Sequence, residues 1–123
     1  MKGWVERSSA GTFISAITVS ELTDGITKLA REHPGRRAVL LAHWLDVLIE
    51  GFQGQLISID HTIAAIAGRL IDRARSRGFD PGLADALIAA TAVRHDLVVA
   101  TLSVRHFRPF DVPLFEPGRS SGP

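Results

Sequence analysis

Short apolar runs alternate with longer stretches of helical spacing along this chain. Residues 12–18, T-F-I-S-A-I-T, set Phe13, Ile14 and Ile17 in a short, mostly apolar run, the pattern of a buried strand. A helix is expected to follow at once. Thr18 suits an N-cap, and Glu21 stands three residues later, the spacing of a capping box. Leu22, Ile26, Leu29 and Ala30 then recur at helical intervals. His33-Pro34-Gly35 breaks the pattern. A second helix is predicted from about Arg36 to Phe52, with Leu41, Trp44, Leu45, Leu48 and Phe52 on one face and Trp44 read as core packing.

Gln55 to Ile59 predicts a second short strand, and Asp60 the cap of a third helix. In that helix Ile63, Ile66, Ala67, Leu70, Ile71 and Ala74 form one apolar face. Arg69, Arg73 and Arg77, four residues apart, make a basic stripe on the other side. It reads as a solvated face, or as a phosphate contact. Residues 78–82, G-F-D-P-G, are a loop. Leu83 to about His95 is a helix apolar nearly all round, so burial on most sides is expected. Residues 97–101 predict a third strand, residues 104–107 one turn of helix, and residues 112–115 a weak last strand. Strands alternating with helices indicate an α/β domain with a largely parallel sheet and right-handed crossovers.

Composition narrows the chemistry. The 123 residues fit one domain. Lys and Arg number 14 against 13 Asp and Glu, which excludes a strongly basic nucleic-acid coat but not local stripes. The absence of cysteine excludes disulfides, thiolate zinc sites and cysteine nucleophiles. No apolar run nears the roughly 20 residues of a membrane helix, and the start, MKGWVERSSAG, has no signal-peptide core. A reduced, cytoplasmic protein without a membrane partner is expected. No phosphate loop, dinucleotide fingerprint, nucleophile elbow or H-E-x-x-H pattern is present. The five histidines show no ligand-like pairing.

Two carboxylates stand out. Glu21 follows a strand in the first turn of a predicted helix, where it either caps that helix or serves a site. Asp85 is set among Leu83, Ala84, Ala86, Leu87 and Ile88 at the start of the most apolar helix. It complements a helix dipole, or it has a functional reason to be there, since a buried charge needs a partner. Open parallel sheets place their sites where helices start, so both groups are expected at one crevice. Carboxylates held together there suit a hard cation such as Mg²⁺, which can activate water against a phosphodiester.

Three segments resemble the PIN-domain ribonucleases of the VapC toxin type. Residues 13–26, F-I-S-A-I-T-V-S-E-L-T-D-G-I, are similar to their S-x-x-T-x-x-E-L-x-x-G segment. Residues 84–92, A-D-A-L-I-A-A-T-A, resemble the helix bearing their third acidic residue. Residues 97–107, L-V-V-A-T-L-S-V-R-H-F, resemble the strand and turn that follow it. The tail V-P-L-F-E-P, residues 112–117, is similar to their last strand.

The resemblance implies a three-layer α/β/α PIN-like domain over residues 1–117, with a flexible tail at 118–123. It implies a Mg²⁺- or Mn²⁺-dependent endoribonuclease that cleaves RNA as the toxin of a toxin–antitoxin pair, a homodimer silenced by a small antitoxin. By position, Glu21 and Asp85 match the second and third acidic residues, catalytic and metal-holding. Thr101, Ser103 and His106 match polar positions toward substrate, His106 where the family often has a fourth acid. Leu102 stands where an Arg is usual.

No residue here matches the family's first Asp, which ends a central strand. Residues 1–5, M-K-G-W-V, resemble instead the end of the helix before the second family strand. The sheet is thus expected to lack its central strand, leaving unpaired edges and marginal stability. Either the true start lies upstream, or the chain is a catalytically crippled binding module that still docks an antitoxin or PIN partner.

Overall fold

The computed structural model describes residues 5–8 and 11–116. Five strands and five helices make up this part of the chain. The strands are β1 (Val5–Ser8), β2 (Gly11–Ser15), β3 (Leu56–Ile57), β4 (Val98–Ala100) and β5 (Leu114–Phe115). The helices are α1 (Ala16–Glu32), α2 (Arg36–Gly51), α3 (His61–Ser76), α4 (Leu83–His95) and the single turn α5 (Val104–Phe107).

The sheet order is β3-β2-β1-β4-β5. β2 with β3 and β4 with β5 pair in parallel, whereas β1 runs antiparallel to both its neighbours. Four of the five strands therefore point the same way, in a mixed sheet whose outer pairs are parallel. The expected gap at the centre is corrected. Val5 begins a strand rather than ending a helix, and Glu6 stands opposite Phe13 on one side and Val99 on the other. Backbone amides and carbonyls on β2 and β4 would otherwise lie open, and a reversed strand satisfies them as well as a parallel one. The tail at 118–123 lies outside the described residues.

Local chemistry sets the helix boundaries. Ser15 caps α1, its Oγ accepting from the Ile17 N–H at 3.1 Å. The expected cap at Thr18 is corrected by three residues, because Thr18 is buried inside the first turn. Glu21 therefore sits in the second turn and forms no capping box with Thr18. α1 ends before Pro34, which disfavours helical backbone in the residue ahead of it. Asp60 caps α3 as expected, with Oδ1 accepting from the Ile63 N–H at 2.9 Å. That hydrogen bond holds the Asp60 carboxyl below its ordinary pKa, with smaller help from Arg94 and His61, against the opposing effect of desolvation.

The core lies where α3 crosses α4. Ile63, Ala67, Leu70 and Ala74 are the buried face of α3. Ile63, Ala67 and Leu70 meet Ile88 and the alanines Ala86, Ala89, Ala90 and Ala92 of α4, whose small side chains let the two helices approach closely. Val99 of β4 and the rings of Phe107 and Phe110 close the core, the rings 6.3 Å apart and tilted. Arg73 donates to the Phe110 carbonyl and ties α3 to this corner. One expectation fails on α2. Trp44 is 45% exposed, and Val39, Leu40 and Val47 are exposed beside it, so only part of the α2 pattern serves the core.

Two outcomes follow from this packing. Phe107→Ala removes a ring with no solvent exposure and is expected to cost about 3–5 kcal/mol in urea unfolding. The Asp60 cap contributes fully above the unfolded carboxyl pKa, and its contribution is lost as pH falls through the lower folded value. Asp60→Asn keeps a capping oxygen but does not titrate. Its unfolding midpoint is expected to fall less steeply than that of the wild type below about pH 4.

Candidate active site

β2 and β4 both oppose β1, so their carboxyl ends lie at the same edge of the sheet. α1 leaves directly from the end of β2. α4 runs back into β4 through Asp96, whose left-handed backbone (φ 55°) makes the reversal. The start of α4 thus returns to the edge from which α1 departs, and the two helices touch. Glu21 comes to this end on α1, and Asp85 comes to it in the first turn of α4.

Asp85 is only 4% exposed. The start of α4 offers backbone amides that favour the ionised carboxylate. Glu21 is half-buried, and one oxygen of each carboxylate, Glu21 Oε1 and Asp85 Oδ1, is fully buried. Among the described residues, no three His, Asp or Glu side chains gather closely enough to hold a metal between them.

Asp85 opens onto a cleft of about 300 Å³. Phe79, Asp80 and Gly82 line it from the loop, and Arg105 and His106 line it from α5. The cleft therefore joins two of the residues expected from sequence, Asp85 and His106. Glu21, Thr101 and Ser103 lie outside its lining. Thr101 works within the chain instead: it is fully buried, and its Oγ1 accepts from the Ser103 N–H at 2.9 Å. That bond shapes the turn from β4 into α5 and so carries Arg105 and His106 to the cleft.

Sequence reasoning passed over Phe79, Asp80 and Arg105. Asp80 and Phe79 lay in a segment read only as a loop, and Arg105 was hidden beside His106. The signal that could have found them is their position before and after the two motif helices, on segments that must converge if Asp85 and His106 do.

The family model for the PIN domain matches residues 1–108. Toxin FitB of Neisseria gonorrhoeae (strain ATCC 700825 / FA 1090) is 35% identical over 106 residues, covering 85% of this chain and 74% of that protein. VapC ribonuclease Y4jK of Sinorhizobium fredii (strain NBRC 101917 / NGR234) is 30% identical over 116 residues, covering 93% and 81%. The solved structure of FitAB bound to an IR36 DNA fragment is similar in fold, with a TM-score of 0.77 at 32% identity, covering 89% of this chain and 76% of that one. The acidic helix starts at one sheet edge, the sheet with four of five strands pointing the same way and these matches all agree, and the chain belongs to the PIN-domain family.

Proposed function

We propose that this protein is a metal-dependent endoribonuclease acting as the toxin of a toxin–antitoxin pair. The observation that carries the reading is Asp85, a buried carboxylate at a helix start, opening onto a cleft that Arg105 and His106 also line. Such a site gathers the carboxyls of Asp80 and Asp85 and the Arg105 guanidinium around one space of about 300 Å³. A phosphodiester suits such a space, its charge turned toward the Arg105 guanidinium.

Asp85 and Glu21 are the residues that would hold a divalent ion. Both are hard oxygen donors, and Mg²⁺ needs only one or two carboxylates because it keeps several waters. When bound, Mg²⁺ or Mn²⁺ supplies an activated water and offsets charge on the phosphate. The chain's own groups do the rest. Asp85 is held in one orientation by its burial, so the site is formed before substrate arrives. Arg105 draws the phosphate in, and His106 offers a ring nitrogen to a phosphate oxygen.

The resemblance to VapC-type toxins supports a small antitoxin as partner, a homodimer and a cytoplasmic location. No described helix is long and apolar enough to cross a membrane. A second reading is a PIN-like binding module without catalysis, since no residue of this sequence matches the family's first Asp.

Cleavage of a mixed RNA pool with and without Mg²⁺ separates the two. The nuclease reading expects Mg²⁺-dependent cleavage that falls at least about 100-fold in Asp85→Asn. Glu21→Gln is expected to fall in the same direction, with helical circular dichroism unchanged in both. No cleavage by the wild type, or full cleavage by Asp85→Asn, would overturn it. Arg105 is exposed, so Arg105→Ala is expected to leave stability unchanged while weakening RNA binding. The slope of log K against log salt should shrink by about 0.7 for the lost contact to a single strand.

A further inference from the structure

Phe79 stands at the mouth of the cleft with no part in the core. Its ring is 43% exposed although the residue lines the same space as Asp85, Arg105 and His106. Its backbone is nonetheless fixed. α3 ends in a turn in which Gly78 adopts φ +89°, a conformation natural to glycine. The Gly78 N–H donates to the Arg75 carbonyl at 3.0 Å, and the Phe79 N–H to the Ala74 carbonyl at 3.0 Å. This pair of bonds is a Schellman turn, whose residue after the glycine normally packs its apolar side chain back against the helix. Phe79 leaves much of its ring in solvent instead. The Arg77 guanidinium stacks over the ring 5.8 Å from its centroid. Arg77, at the C-cap of α3, ends the basic stripe; Arg73 one turn back is tied to the Phe110 carbonyl, and Arg69 stands two turns back.

An exposed aromatic ring on a fixed backbone turn, backed by a cation and beside a cleft of about 300 Å³, is what a nucleotide base requires. Unpaired bases stack on such rings whatever their identity, while arginines track the backbone. A base in a duplex already stacks on its neighbours and cannot reach the ring. We propose that Phe79 is a base-stacking platform that seats an unpaired nucleotide next to the scissile phosphodiester. The place beside a scissile bond rests on the nuclease reading, whereas the stacking itself does not need catalysis. Arg77 holds the ring from one face and contributes positive charge toward the strand.

The test is fluorescence anisotropy of the whole chain with a labelled ten-nucleotide single-stranded RNA and with the same RNA in a duplex, both in EDTA. Phe79→Ala is expected to weaken single-strand binding about tenfold, in the range found for loss of one stacked base. Phe79→Leu keeps an apolar side chain on the Schellman turn and should weaken binding similarly at unchanged thermal stability. Phe79→Trp should bind at least as well as the wild type. The duplex should bind more weakly than the single strand and be indifferent to all three substitutions. Equal single-strand binding by wild type, Phe79→Ala and Phe79→Leu would overturn the proposal, as would a duplex bound as tightly as the single strand. Because binding is read without metal, stacking that survives in a chain unable to cleave RNA counts against the nuclease reading alone. Cleavage with Phe79-independent binding counts against the platform alone.

Discussion

A carboxylate buried at the start of an apolar helix is the constraint on which the rest of the site depends. Asp85 is 4% exposed on a helix whose neighbouring positions, Ala86, Ile88, Ala89 and Ala90, are fully buried. Burying a charge is costly unless polar groups or a cation meet it. The backbone amides at the start of α4 meet part of that cost. An apolar side chain there would pack into the same helix with no such requirement. That acid lines the cleft together with Arg105 and His106.

The fold serves this one position. α4 can be buried on most sides because α3 presents Ile63, Ala67 and Leu70 to its small residues. The tight reversal at Asp96 then fixes the direction of β4, and the Thr101 hydroxyl fixes the turn that follows. These two turns deliver α5 to the cleft. At the sheet centre, β1 pairs with β2 and β4 at once and so holds the two halves of the site in register. Its antiparallel sense leaves the other four strands pointing the same way, and the edge where α1 and α4 begin stays common to both.

Much of this was legible in the residues. The apolar periods of α3 and α4 predicted both helices closely, because burial on a regular face leaves a regular imprint. Asp60 and Asp85 could be singled out for the same reason, as polar groups at positions where the pattern demands an explanation. The start of α1 was misplaced, since Ser15 and Thr18 are both capable caps and only the burial of Thr18 decides between them. β1 was illegible because its order in the sheet is set by distant partners, not by local spacing. Trp44 was misjudged because a helix bearing apolar groups on two sides can bury only one of them within this chain. The joining of Asp85 with His106 was expected from family resemblance, whereas Arg105, Asp80 and Phe79 emerged only when the loop and α5 were seen to converge.

The central claim is that the acidic end of the sheet is a divalent-cation site and not a structural accident. Isothermal titration of Mn²⁺ into the intact chain tests it without substrate. Saturable uptake that disappears in Asp85→Asn and weakens in Glu21→Gln is the expected result. No measurable uptake by the wild type, or uptake unchanged in Asp85→Asn, would contradict it.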